Sequence, residues 1–131
     1  MLRRSTFIVV VVMLALMLAT PALAAPPPTA EITSAVMELS YSGSECGVEI
    51  TATLANVGHG RYWVVFGFHS APYGTTITFS DRLDLGQSLI SQRLGVCDLG
   101  GSFDRGDVAL YRGGRLIASE SVEAQVTCPS S

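Results

Sequence analysis

The alternation of apolar and polar side chains over residues 48–54 is the feature that most constrains how this chain can fold. Four apolar side chains share one side of an extended segment there, namely Val48, Ile50, Ala52 and Leu54. Glu49, Thr51 and Thr53 share the other side, which is the pattern of a strand with one buried and one wet face. Similar runs recur along the chain, separated by turn-forming residues about every ten residues. No run of useful length has helical spacing, so the domain is predicted to be all-β.

The order of these runs predicts how many strands there are and how they are arranged. Residues 61–68 are apolar on both faces, which predicts a central strand. Residues 107–112 and the segment from Arg115 onward are expected to form a hairpin around Gly113-Gly114, because paired glycines supply the positive φ angles of a tight turn. Seven short strands in about 100 residues predict a two-sheet sandwich, and a partly closed barrel is the alternative.

The N-terminus has the three parts of a secretory signal peptide. Arg3 and Arg4 precede an apolar run over residues 7–19, and Ala22-Leu23-Ala24 has the small residues of a cleavage site. An uncleaved membrane anchor is the alternative, because a spanning helix needs about 20 apolar residues. Pro21 and the cleavage site favour removal, so we expect a secreted protein, extracellular or periplasmic, with no membrane span after cleavage.

Cleavage would divide the chain into a leader, a short spacer and one folded domain. The predicted segments are a signal peptide over residues 1–24, a proline-rich spacer over 25–30, a β-domain over 31–128 and a tail over 129–131. The leader takes two of the eight basic residues, leaving six against eleven carboxylates and a net charge of about −5. This balance argues against nucleic acid or an anionic membrane as a partner.

All three cysteines, Cys46, Cys97 and Cys128, lie in the predicted mature chain. An exported protein enters an oxidising compartment, so we expect one disulfide. If successive strands alternate in direction, the three cysteines lie at the same end of the sandwich, and all three pairings remain open. The leftover thiol is either inert or joined to another molecule.

The sequence contains no recognisable catalytic apparatus or cofactor site. Only His59 and His69 could act as bases near neutral pH, and no hydrolase or metalloprotease motif is present. The domain is therefore predicted not to be an enzyme, to need no cofactor and to hold no metal. A pocket joining either histidine to a carboxylate within hydrogen-bond reach would favour a small enzyme or inhibitor instead.

The segment from Asp98 to Asp107 is predicted to be a loop that ends where the next strand begins. Its three aspartates, which include Asp104, could offer oxygen ligands to calcium, but a solvated acidic loop is the better interpretation. The tripeptide Arg105-Gly106-Asp107 is read by integrins on exposed loops, yet a motif this short arises by chance, and we interpret it as turn chemistry.

The aromatic run over residues 61–68 could fill the core or present a binding face. The core accounts for most of its rings, but the side that carries Trp63 and Val65 is the best surface candidate. We predict that Trp63, Tyr73 and His69 contact a ligand, either an unknown protein or a carbohydrate.

Several features resemble immunoglobulin-like domains, and more narrowly the adhesion-type bacterial immunoglobulin-like modules. A cysteine opens the second strand, Trp63 lies in the third, and Asn56-Val57-Gly58 and Leu85-Gly86-Gln87-Ser88 are similar to segments of those modules. The resemblance implies an immunoglobulin-like two-sheet sandwich and a secreted binding or adhesion module. The alternative is a structural envelope or matrix component that associates with copies of itself.

The resemblance also implies a disulfide pairing. In the immunoglobulin-like order the second and fifth strands are neighbours in one sheet, which favours a Cys46 to Cys97 bridge over the other pairings. Cys128 would then be unpaired or would form an intermolecular bridge, making a homo-oligomer possible.

Overall fold

The computed structural model describes residues 29–95 and 101–129, and these residues form seven β-strands. The strands are β1 (Glu31–Ser42), β2 (Glu45–Ala55), β3 (Tyr62–Ser70), β4 (Thr75–Leu83), β5 (Leu89–Gly95), β6 (Ser102–Arg112) and β7 (Arg115–Thr127). The described residues contain no helix, and therefore none long and apolar enough to cross a membrane. The all-β prediction is confirmed. The predicted leader and most of the spacer lie outside the described residues.

The strands form two antiparallel sheets that pack face to face. One sheet has three strands in the order β1-β2-β5, and the other has four in the order β4-β3-β6-β7. The edges are therefore β1 and β5 in the first sheet and β4 and β7 in the second. The long β1 strand also packs along β7, so the two sheets approach each other on that side.

The core lies between the sheets and is built from the inward side of each strand. On β2 the alternation seen in the sequence decides the orientation, since Val48, Ile50, Ala52 and Leu54 are all buried. On β3 the even-numbered residues from Tyr62 to Phe68 point inward and are at most 4% exposed. Phe68 makes edge-to-face contacts with Phe79 of β4 and Phe103 of β6, at centroid distances of 6.0 and 6.2 Å.

At β6 and at the spacer, the boundaries differ from the sequence prediction. β6 begins at Ser102, so most of the predicted loop before Asp107 is strand, because Phe103 is fully buried and pairs with Val126 of β7. Ala30, the last residue of the predicted spacer, is only 3% exposed and packs in the core.

Candidate functional site

The outer face of the four-stranded sheet is the surface on which most of the candidate side chains lie. Because β3 buries its even-numbered residues, the odd-numbered Trp63, Val65 and His69 point outward. Residues directly opposite one another in antiparallel strands share a face. The strand register therefore arranges this face in rows that run across β4, β3, β6 and β7.

The row at one end of the face is aromatic and apolar, and we call it the Trp63 strip. Its members are Arg82, Trp63, Tyr111 and Leu116, which are cross-strand partners in that order. The Trp63 side chain is 40% exposed and Leu116 is 54% exposed. The guanidinium of Arg82 lies 5.7 Å from the centroid of the Trp63 ring, a cation–π contact that holds the ring in place.

The opposite end of the face is polar and contains a histidine–carboxylate pair. Nδ1 of His69 lies 2.5 Å from Oδ1 of Asp104. The two side chains meet because β6 has an irregularity here: His69 pairs with Arg105 and Ser70 with Phe103, which leaves Asp104 as an extra residue opposite β3. The extra residue lets both Asp104 and Arg105 approach the outer face.

The electrostatics of this pair follow from its geometry. The hydrogen bond with His69 lowers the pKa of the Asp104 carboxyl below its ordinary value of 3.8, and the positive charges of His69 and Arg105 act in the same direction. The side chains are 23% exposed for His69 and 42% exposed for Asp104, so water screens the interaction. Within the described residues, Asp104 is the only hydrogen-bond partner of the His69 side chain.

A shallow polar depression lies beside the pair. It has a volume of about 360 Å³ and is lined by Asp104, Arg105, Glu123, Ala124 and Gln125, so its walls come from β6 and from a second irregularity in the pairing of β6 with β7. His69 is not among the lining residues. In residues 29–95 and 101–129, no group of three His, Cys, Asp or Glu side chains could hold a metal ion.

The integrin-type tripeptide lies within a central strand, which differs from the predicted loop. Gly106 pairs with Phe68 on one side and Val122 on the other. A Cβ atom at Gly106 would come 2.9 Å from Cδ1 of Ile50, so a larger residue here would force the Ile50 side chain between the two sheets to shift. Nε of Arg105 donates to Oδ2 of Asp107 at 3.2 Å, so the two charged side chains pair with each other.

The disulfide joins Cys46 to Cys128, so the predicted pairing of Cys46 with Cys97 is wrong. Cys46 opens β2 in one sheet, and Cys128 follows β7 in the other, where the N–H of Cys128 donates to the carbonyl of Gly101 at 2.8 Å. The bridge therefore ties the two sheets together at one end. Cys128 is not the leftover thiol; that position falls to Cys97, which lies outside the described residues.

The three predicted binding residues do not come together. Trp63 and His69 share the outer face but lie six residues apart on β3, about 20 Å along the strand. Tyr73 is 63% exposed in the turn between β3 and β4, at the end of the sheet near His69. His59 lies in the loop between β2 and β3, and its carbonyl accepts a hydrogen bond from Arg112 at 3.1 Å.

Sequence reasoning missed the neighbours of Trp63. Arg82, Tyr111 and Leu116 lie on three other strands, and only the register brings them beside the indole. The sequence groups Asp104 with the other aspartates of an acidic loop, whereas its partner in the structure is His69. No local pattern in the sequence carries either contact.

The sheet topology identifies the fold. In immunoglobulin domains, strands A, B and E share one sheet, and strands C, F and G share the other. Here β1, β2 and β5 form one sheet, and β3, β6 and β7 belong to the other. The domain is an immunoglobulin-like β-sandwich. Its β4 pairs with the third strand, and its disulfide runs from the second strand to the end of the seventh. Trp63 points outward from the third strand, where antibody domains bury a tryptophan.

Comparisons with known proteins identify no family for this chain. No protein-family model matches the chain, and no curated protein matches it. Among solved structures, the chain is similar to an immunoglobulin-like protein from Pseudomonas aeruginosa, with 11% sequence identity and a TM-score of 0.42. That alignment covers 76% of this chain and 98% of the other.

Proposed function

We propose that this immunoglobulin-like domain is a secreted, non-enzymatic binding module that contacts a saccharide ligand through the Trp63 strip. The observation that carries the proposal is the position of Trp63, a large aromatic side chain that is 40% exposed on a strand in the middle of a sheet. Exposed apolar surface of this kind is characteristic of contact sites.

The chemistry of the neighbouring positions supports a saccharide. An aromatic ring offers a flat apolar face on which the C–H groups of a sugar can stack. The next row along the sheet carries the hydroxyl groups of Ser80 and Ser119, on either side of Val65 and Ala109. Short hydroxyl side chains can donate to and accept from sugar hydroxyls. A ring with hydroxyls beside it therefore suits a polar ligand with an apolar face.

An exported location fits the same proposal. The disulfide between Cys46 and Cys128 links residues in different sheets. Disulfides persist in oxidising compartments and are rare in the cytosol. The predicted signal peptide points the same way.

The test is a glycan panel read out by fluorescence, since Trp63 is the only tryptophan in the chain. We expect a bound glycan to change Trp63 emission, and we expect immobilised Trp63→Ala to lose the glycans that the native protein captures. Tyr73→Ala is the matched control, because it removes another exposed aromatic side chain far from the strip. Capture that survives Trp63→Ala would reject the site. A ligand panel in which only proteins bind would reject the saccharide.

A small enzyme is the second candidate, and the His69–Asp104 pair is the observation that favours it. A carboxylate bound to Nδ1 orients a histidine as a general base toward a group at Nε2. A nucleophile would have to lie next to Nε2, and no described side chain bonds that atom. We therefore interpret the pair as a tie between β3 and β6. Turnover of a hydrolase substrate panel that is lost on His69→Ala would support the enzyme instead.

A further inference from the structure

The four sheet edges are not equally protected against pairing with another strand. The β7 edge carries two irregularities in its register, and Glu120 lies opposite the buried Val108, on the inner side of the strand. Bulges and inward-pointing charges are common devices that block edge pairing. The β1 edge lies along β7, and β5 is the shortest strand, with seven residues.

The β4 edge differs in its register, because its nine residues pair with β3 without a break. Its one inner-side charge, Asp81 opposite the buried Val64, lies near the end of the strand. It contains no proline or glycine, and the segment from Thr75 to Ser80 carries no charge. Such a segment, rich in β-branched residues, is suited to accept another strand.

The hydrogen-bond pattern identifies which groups of β4 are available. The N–H of Ala71 donates to Ser102 at the start of β6, so the odd-numbered residues of β3 bond toward β6 and the even-numbered ones toward β4. The even-numbered residues of β3 pair with odd-numbered residues of β4, for example Phe66 with Phe79. The N–H and C=O groups of even-numbered β4 residues therefore point away from β3.

At one end of this edge, a backbone N–H group already has a hydrogen-bond partner. The N–H of Arg82 donates to the Asp81 carboxylate at 2.8 Å, which agrees with its outward direction. The other β4 residues whose backbone groups point away from β3 are Thr76, Thr78 and Ser80. No backbone hydrogen bond within residues 29–95 and 101–129 occupies their outward groups.

We infer that a second copy of this chain pairs with β4 antiparallel, about a two-fold axis through Thr78. This register uses all three free residues, since Thr78 lies opposite Thr78 of the second copy and Thr76 lies opposite Ser80. It also sets Ile77 opposite Phe79 twice. Both side chains are half-buried against the core on the inner side of β4, so pairing covers their remaining exposed surface.

The residue opposite Asp81 and the number of free backbone groups that pair favour this register over its neighbours. With the axis at Thr78, Asp81 lies opposite Thr75, and no charged residue faces another. Moving the axis to Phe79 sets Asp81 opposite Ile77 and uses Arg82, whose N–H is already bonded. Moving the axis to Ile77 leaves Ser80 with no β4 residue of the second copy opposite it. The axis at Thr78 is therefore the best self-complementary pairing.

The experiment tests the predicted pairing of Thr78 with Thr78 of the second copy. The protein is expressed from its full coding sequence, in native form and with Cys97→Ser to exclude an intermolecular disulfide, and its mass is measured by sedimentation equilibrium. We expect a concentration-dependent dimer in both forms. Thr78→Lys and Thr78→Glu should each be monomeric over the same range, because like charges oppose each other. An equimolar mixture of the two variants should dimerise again.

Thr76→Lys and Thr76→Glu are the matched controls. The backbone groups of Thr76 also point away from β3, but Thr76 faces Ser80 of the second copy and not another Thr76. Each should still dimerise on its own. A monomer at all concentrations, a dimer that vanishes with Cys97→Ser, or Thr78 variants that dimerise as the native protein does would overturn the inference. Restored dimerisation in the mixture also shows that both Thr78 variants are folded. The result is independent of ligand binding at the Trp63 strip.

Discussion

The guanidinium of Arg93 lies over the backbone of Gly47 on the outer face of the three-stranded sheet. Nη2 of Arg93 donates to the carbonyl of Glu45 at 3.0 Å and to that of Ser40 at 3.4 Å, so the side chain reaches from β5 across β2 to β1. This path is open because position 47 has no side chain.

Gly47→Ala should therefore destabilise the domain by about 1–3 kcal/mol, as overpacking does. The new Cβ would come 2.7 Å from Nη2 of Arg93 and 2.7 Å from the carbonyl oxygen of Leu94. The guanidinium could move, but the carbonyl belongs to the β5 backbone. Urea unfolding measures the change. Gly58→Ala is the control, since nothing lies within 4 Å of its Cβ. Equal stability of the two variants would contradict the steric explanation.

The second prediction concerns the disulfide. Removing it with the double variant Cys46→Ser and Cys128→Ser should cost about 4–5 kcal/mol of stability. The bridge closes a long loop, and without it the unfolded chain gains conformational entropy. The sequence separation is 82 residues. Cys97→Ser retains the bridge and should unfold at nearly the same urea concentration as the native protein. If Cys97→Ser is the more damaging change, the assigned pairing is incorrect.

The third prediction compares the two sides of β3. Phe66 is fully buried, whereas Trp63 points outward and is 40% exposed. Phe66→Ala should cost about 3–5 kcal/mol through the cavity that it leaves. Trp63→Ala should cost about 1 kcal/mol, mainly through loss of contacts such as that with Arg82. Unfolding midpoints with unchanged m-values provide the comparison. A reversed order would mean that the strand faces are misassigned.

The fourth prediction is a pH dependence that involves Asp104. The pKa of this carboxyl is lowered in the folded protein, so its contribution to stability is fully present above its unfolded value of about 3.8. It is lost as the pH falls from there through the lowered folded pKa. Asp104→Asn should therefore lose less stability than the native protein when the pH is lowered below about 4.

The control for this effect is the partner side chain. His69→Gln should weaken the pH dependence of stability over the same range. Combining it with Asp104→Asn should change this dependence little further, because the two residues act through one contact. Thermal unfolding at a series of pH values measures it. Additive effects of the two substitutions would show that other groups are responsible.

Local periodicity determined the secondary structure and much of the core. The alternation along β2 predicted which side chains are buried, because a strand places successive side chains on opposite faces regardless of its partners. On β3 both faces are apolar, so periodicity could not decide between them. Register with β4 and β6 buries Phe66 and exposes Trp63.

The contacts at the candidate site came from the tertiary structure alone. The sequence indicated one disulfide and grouped the cysteines at one end of the sandwich, but the pairing of Cys46 with Cys128 depends on where β7 ends relative to β2. The approach of Asp104 to His69 depends on an irregularity in β6. The burial pattern follows from the local alternation of apolar and polar residues along the chain. Strand pairing instead joins distant segments, and their register is set by the packing of the whole sandwich.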